Sequence, residues 1–393
     1  MKNIIGPPAR GENFLNREKE IKKILKAIDE GVNVQLAAPR RVGKTSILMS
    51  LLDMEHPDYC FLYLDTEAIM TSENFFKKIY SEIIKSKCIL ASTKLVEQFK
   101  NLKNDFFKRM KGISFNGTGL ELNEGEEVNY YQELTNLLKG VELDEGKKIV
   151  LMIDEFPYTI TNIVEKTGKE EAVKFLSENR TLRIDPSINK KVNFIYTGSI
   201  GLNTTVANLN ATALINDVPP VKIPPLSNKQ AKQMVKEILI YEEKEISEDC
   251  LDYLLKKVEW LIPFYIKLAI KEVIDLMDDD LNEINEDLVD RSFVEIIDYR
   301  NNNYFEHYFS RLRTYFKGDQ FDFTINILNN ATDNGVSRSE IFNISTNHGL
   351  QNGYKNIIQT LVYDGYIFSD DLGQNYKFCS PILKLWWLVH VKN

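Results

Sequence analysis

Residues 37 to 46 read Ala37-Ala38-Pro39-Arg40-Arg41-Val42-Gly43-Lys44-Thr45-Ser46, between the apolar runs Val32-Asn33-Val34-Gln35-Leu36 and Ile47-Leu48-Met49. The order is that of a strand, a tight turn and a helix start. The turn follows the pattern G-x-x-x-x-G-K-[ST] at all but its first glycine, which is Ala38. In such a turn, backbone N–H groups and the positive end of the helix surround phosphates, the lysine reaches the terminal ones and the hydroxyl holds magnesium. Those roles fall to Gly43, Lys44 and Thr45. Glycine is usually kept where the backbone turns left-handed or approaches a ligand closely, so Ala38 is a departure, and alanine is the smallest one available.

A ten-residue motif arises by chance, and a second, independent signal comes from residues 149 to 155. Ile149-Val150-Leu151-Met152-Ile153 is too short for a helix and apolar throughout, as a parallel strand buried on both faces must be. Asp154 and Glu155 follow at its carboxyl end, where ligands bind in open α/β sheets. The aspartate suits magnesium, a hard cation that takes carboxylate, hydroxyl, phosphate and water oxygens. The glutamate suits a general base acting on water. Taken alone, the pair also fits a solvated turn or a helix cap. A third strand, Val192-Asn193-Phe194-Ile195-Tyr196, ends in Thr197-Gly198-Ser199, where polar groups could read a γ-phosphate or simply cap a glycine turn.

Composition narrows the class. The 393 residues are 43% hydrophobic and 27% charged, as in a globular protein of two or three domains. A net charge of −8 argues against broad capture of nucleic acid or anionic membrane, which needs clustered Lys and Arg. Cys60, Cys88, Cys250 and Cys379 are widely spaced, which suggests neither a zinc site nor a disulfide framework and fits a reducing cytoplasm. No apolar leader opens the chain and no run nears the roughly 20 residues of a membrane span, so no membrane partner is expected.

Along the chain, strands alternate with helices over residues 1–225, which predicts a parallel sheet with helices on both faces. Within it, residues 88–146 read as an insertion, with a charged helix near 95–110 and a hairpin at 113–122 signalled by Asn116-Gly117. Val218-Pro219-Pro220-Val221-Lys222-Ile223-Pro224-Pro225 excludes helix and central strand, and reads as an edge strand leading out of the unit. Residues 226–298 are expected to form a small helical lid, with Pro263 in a helix's first turn. A connecting helix over 299–315 leads to 316–393, where three helices and a hairpin predict a winged helix. Its third helix carries Lys355 but also Asp364, and the hairpin tip is acidic, so DNA is possible yet not favoured by charge. Leu385, Trp386 and Trp387 read as core.

The assembly resembles the prokaryotic STAND-type ATPases, the archaeal-type branch of the AAA+ superfamily. The matching residues are 14–20, 39–46, Ile153-Asp154-Glu155-Phe156, Thr197-Gly198-Ser199, Pro224-Pro225-Leu226-Ser227 and Pro263-Phe264-Tyr265. The resemblance implies an α/β P-loop core followed by a helical lid and a winged helix, with ATP and magnesium as cofactors. It implies a sensor strand between the two motif strands, here the one ending at Ser199. It implies a lid proline against the nucleotide, here Pro263, although Leu261 stands where that motif has glycine. The expected set around ATP is Pro39, Arg40, Arg41, Val42, Gly43, Lys44, Thr45, Ser46, Ser199 and Pro263, with Thr45 and Asp154 on magnesium and Glu155 catalytic. Arg40, Arg41, Arg180 and Arg183 are candidates to add charge near the phosphates, and an arginine from a neighbouring copy would require a homo-oligomer. The implied function is a regulatory switch that couples ATP and ADP states to a protein partner or effector. The alternatives are a DNA-binding protein of the origin-recognition or transposition-helper kind, and a nucleotide-binding scaffold without hydrolysis.

Overall fold

The computed structural model describes all residues except 16, 87–127, 142, 144–146, 200, 278–282, 371 and 393. Helix α1 (Glu18–Asp29) buries Ile21, Ile24 and Ile28 along one face, as their spacing predicts. Strand β1 (Val34–Ala37) runs into the turn, and Gly43 caps α2 (Lys44–Leu52). Next come β2 (Tyr59–Asp65) and α3 (Ser72–Lys85), the latter started by Thr71, whose side chain accepts from the Asn74 N–H. The expected helix near 95–110 and hairpin at 113–122 lie outside the described residues. Helix α4 (Tyr130–Gly140) falls within the stretch read as insertion, yet it packs on α3 and gives Leu134, Leu137 and Leu138 to the core.

Strand β3 (Lys148–Asp154) leads to α5 (Phe156–Thr167), α6 (Lys169–Ile184), the short α7 (Pro186–Asn189), β4 (Val192–Thr197), α8 (Leu202–Ala207) and β5 (Pro220–Lys222). The five strands form one parallel sheet in the order β2-β3-β4-β1-β5. Alternation explains why β3 is apolar throughout. Ile149, Leu151 and Ile153 face one helical layer while Val150 and Met152 face the other. β5 pairs with β1 at the sheet's edge, where Pro220 withholds no ladder bond from a further strand.

Ser227 opens α9 (Asn228–Tyr241) with a reciprocal capping box to Gln230. Then follow β6 (Glu245–Ile246), α10 (Glu248–Val258), α11 (Pro263–Asp275) with Pro263 in its first turn, β7 (Glu283–Ile284) and α12 (Glu286–Ile296). After α13 (Glu306–Tyr315) come α14 (Asp319–Ala331), β8 (Val336–Ser337), α15 (Arg338–Asn347), α16 (Tyr354–Tyr363), β9 (Ile367–Ser369), β10 (Asn375–Phe378) and α17 (Pro381–His390). β8, β10 and β9 make a small antiparallel sheet. A single apolar core runs from Leu226 through the middle helices to Trp387 in this C-terminal unit.

Three expectations change. Leu385 is 37% exposed, so only Trp386 and Trp387 are core; its neighbours face inward and Leu385 takes the outer side of α17. Asp364 is buried and ion-paired with Arg311, so it does not repel DNA from the surface. Cys60 is disulfide-bonded, while Cys250 and Cys379 are free and buried. Among the described residues, no helix is long and apolar enough to cross a membrane.

Candidate functional site

The turn between β1 and α2 resolves the question of Ala38. Positive φ falls on Arg41 (63°) and Gly43 (103°), whereas Ala38 keeps an ordinary backbone and is nearly buried, so nothing there demands glycine. Lys44 is the first residue of α2 and folds back over the turn, its Nζ donating to the carbonyls of Ala38 (3.0 Å) and Pro39 (2.9 Å). Burial pushes its ammonium down to about 8, against the pull of Glu155 and Asp154. A cation held this way, beside helix N–H groups, is a receptor for anionic oxygen.

The acidic pair lies next to it because β3, β4 and β1 are side by side. Thr45 Oγ1 donates to Asp154 Oδ2 at 2.8 Å, the Tyr63 hydroxyl donates to the same oxygen at 3.1 Å, and the Glu155 N–H donates to Oδ1 at 3.1 Å. Burial, then the neighbouring Glu155, raises the Asp154 carboxyl to about 6. Glu155 has φ 56°, a left-handed backbone uncommon for a residue with a side chain, and starts α5 from there. Its Oε2 accepts from both the N–H and the hydroxyl of Ser199, each at 2.9 Å. The donor set suits magnesium: hydroxyl and carboxylate oxygens share one spot, and the ion needs only one or two protein oxygens when phosphates and water supply the rest. No group of three or more His, Cys, Asp or Glu among the described residues could hold a metal unaided.

Sequence reading missed the groups packed behind the site. Arg311 of α13 donates to the Ser199 carbonyl, 112 residues away, and pairs with Asp364 Oδ2 at 3.2 Å; both side chains are buried. Burial opposes the Arg311 charge and Asp364 overrides it. Arg41 turns toward the middle helices, its guanidinium 3.7 Å from the Phe264 ring centre and its Nη2 3.2 Å from His307 Nδ1. Burial, then Arg41, pushes His307 down to about 2, so it is neutral and accepts at Nδ1. Gly365, φ 79°, lies so close that an added Cβ would be 2.5 Å from the Trp260 ring and 2.9 Å from Pro39. Nothing in one sequence marks these pairings across such distances.

Beside these groups lies a cavity of about 350 Å³. Arg40 to Ser46, Glu155, Ser199 and Pro263 line it, as do residues 4–9, Phe14, Leu226, Met234 and Lys267. Pro39 borders Gly365 instead. Arg183 is taken up by Asp217, Asn179 and the Leu214 carbonyl, and Arg180 by Asn216 and Asp217, so neither lines the cavity.

A five-stranded parallel sheet in this order, with the lysine turn facing the acidic pair, defines the P-loop ATPase fold. Residues 14–259 match an ATPase domain found predominantly in Archaea, and the chain belongs to that family. The Walker-type ATPase PABY2304 of Pyrococcus abyssi shares the fold at 17% identity, over 98% of this chain and 99% of that one, with a TM-score of 0.63. The ORC2 protein of Aeropyrum pernix, solved in ADPNP and ADP complexes, aligns at 10% identity over 96% and 95%, with a TM-score of 0.50. No curated protein matches the chain.

Proposed function

We propose that this protein is an ATP-binding and ATP-hydrolysing regulatory switch of the STAND and AAA+ type. In this reading residues 1–225 are the ATPase core, 226–298 a lid, 299–315 a connecting helix and 316–393 a winged helix. Gly43 and Lys44 take the phosphates, Thr45 and Asp154 hold magnesium, and Glu155 is the general base. Magnesium, when bound, neutralises phosphate charge. Pro263 and Phe264 close over the nucleotide, and Arg311 is joined to the site through the Ser199 carbonyl.

The observation that carries the reading is an unbroken set of contacts. Glu155 binds Ser199, Ser199 binds Arg311, and Arg311 binds Asp364 at the start of the α16–β9 turn. A group that must attend to the terminal phosphate is therefore tied to the C-terminal unit. A nucleotide state that draws Glu155 or Ser199 toward a phosphate changes the affinity of core for C-terminal unit, which is what a switch requires. A protein partner reads the released unit.

The test is titration of the full chain with ATP and magnesium. Lys44→Ala abolishes binding, and Glu155→Gln keeps ATP while turnover is lost. Hydrogen exchange in α13 and α16 differs between ATP and ADP. Unchanged affinity in Lys44→Ala sinks the proposal, and a wild type that binds without turnover leaves a scaffold.

A further inference from the structure

One buried cation of the cavity has no role in the phosphate site proposed above. Lys267 sits on the second turn of α11, one turn beyond Pro263, is 6% exposed and lines the cavity. Among the described residues its ammonium has a single acceptor, the Ile4 carbonyl at 3.3 Å, and no carboxylate within ion-pair distance. Buried charges are ordinarily paired, and an ammonium carries three N–H donors, so most of this one's capacity is unmet. Burial lowers its pKa without any charged group to offset it.

Its place along the cavity says what it faces. Residues 4–9 form a strap between two fixed ends. The Ala9 N–H donates to Ser46 Oγ at 3.0 Å, on the first turn of α2 beside the phosphate turn. At the other end Asn3 Nδ2 donates to the Lys267 carbonyl at 3.0 Å, and Lys267 returns a bond to Ile4. Glu155, Asp154, Arg311 and Arg40 all act on Lys44 at the phosphate turn, whereas none of them acts on Lys267, which puts it toward the other end of the cavity. Phe14, Leu226, Met234 and Phe264 give the cavity apolar lining of the kind a flat aromatic ring prefers.

We infer that Lys267 is a specificity residue of the proposed nucleotide site: its ammonium donates to a ring nitrogen of adenine while the Ile4 carbonyl accepts from the adjoining amino group. Adenine offers that acceptor–donor pair at N7 and the 6-amino group, and again at N1; the Hoogsteen edge of guanine offers two acceptors, one of which would meet the Ile4 carbonyl. A site built around such a pair rejects analogues that lack one member. The inference rests on ATP being the ligand.

The experiment compares ATP, 7-deaza-ATP and 1-deaza-ATP, each with magnesium, on the full chain by calorimetric titration. On the wild type one deaza analogue binds roughly 10-fold to 100-fold more weakly than ATP, the loss of a hydrogen bond to a charged group. Lys267→Met, which replaces the ammonium with a similar apolar length, binds ATP weakly to the same degree and no longer distinguishes that analogue. Lys267→Gln, which keeps a donor, retains part of the discrimination. If both analogues bind the wild type as ATP does, or if the discrimination survives in Lys267→Met, the assignment is wrong. The ligand carries the single-atom change in the wild-type arm, so that arm stands whatever the variants do. ATP binding that is lost in Lys44→Ala but indifferent to Lys267 refutes this inference and leaves the proposed function intact; absence of ATP binding in the wild type refutes both.

Discussion

The C-terminal unit meets the rest of the molecule across two seams of opposite chemistry. Against the middle helices the seam is hydrocarbon and aromatic: Trp386 stacks on Phe305, Tyr265 touches the Tyr308 hydroxyl at 3.1 Å, and the apolar core continues across without a break. Against the phosphate turn and Ser199 the seam is charge, made by Arg311, Asp364, Arg41 and His307, several of whose polar atoms have no partner among the described residues. Apolar contact is indifferent to nucleotide, whereas buried polar contact is strong when complete and costly when broken. The comparison teaches where the switch proposed above would act: at the charged seam, with the middle helices and the C-terminal unit held together by their shared apolar core.

The heaviest blow to the first seam is Trp386→Ala. Loss of a fully buried indole costs about 3–5 kcal/mol, and urea unfolding monitored by Trp387 and by nucleotide-independent proteolysis shows middle and C-terminal helices melting together. Separate transitions for the two would break the idea of one body.

Next is Arg311→Met, which leaves Asp364 buried without its cation and destabilises the chain by about 3 kcal/mol or more. Adding Asp364→Leu recovers most of that stability but leaves exchange in α16 indifferent to nucleotide. If the double variant still answers ATP, the charged seam is not the moving one.

Asp154 gives an effect of opposite sign. Its carboxyl stays protonated to about pH 6 in the folded chain and to about pH 4 when unfolded, so the folded state binds the extra proton and stability from this group falls as pH rises between those values. Asp154→Asn removes that burden, on the order of 3 kcal/mol at most. The nucleotide-free variant melts higher than wild type at pH 7.5 and little differently below pH 4, while affinity for magnesium and ATP drops. The smallest change is Arg41→Ala, worth about 1–2 kcal/mol through the lost stacking on Phe264 and the bond to His307, read as a shift in melting temperature.

Legibility in the sequence followed locality. The lysine turn, the strand ending in Asp154 and Glu155 and the edge strand with Pro220 were all readable, because each is specified by neighbours within a few residues. The meeting of Thr45 with Asp154 followed from strand order, which the resemblance supplied by setting the Ser199 strand between the two motif strands. Arg311, His307, Asp364 and Lys267 were not readable as site groups. Each lies on an ordinary helix or turn, and only the packing of α11, α13 and α16 against the turn gives it a partner. Arg183 shows the reverse error: a plausible charge near a motif, spent entirely on Asp217 and its neighbours.

Gly365 adds a geometric constraint to the charged seam. With a left-handed backbone and no room between the Trp260 ring and Pro39, it admits hydrogen alone. A single methyl there must displace the Trp260 ring or Pro39, and it does so one residue from Asp364 and its ion pair with Arg311. Close packing and buried charge thus share one turn of chain, so side chains of growing size at 365 disturb both together.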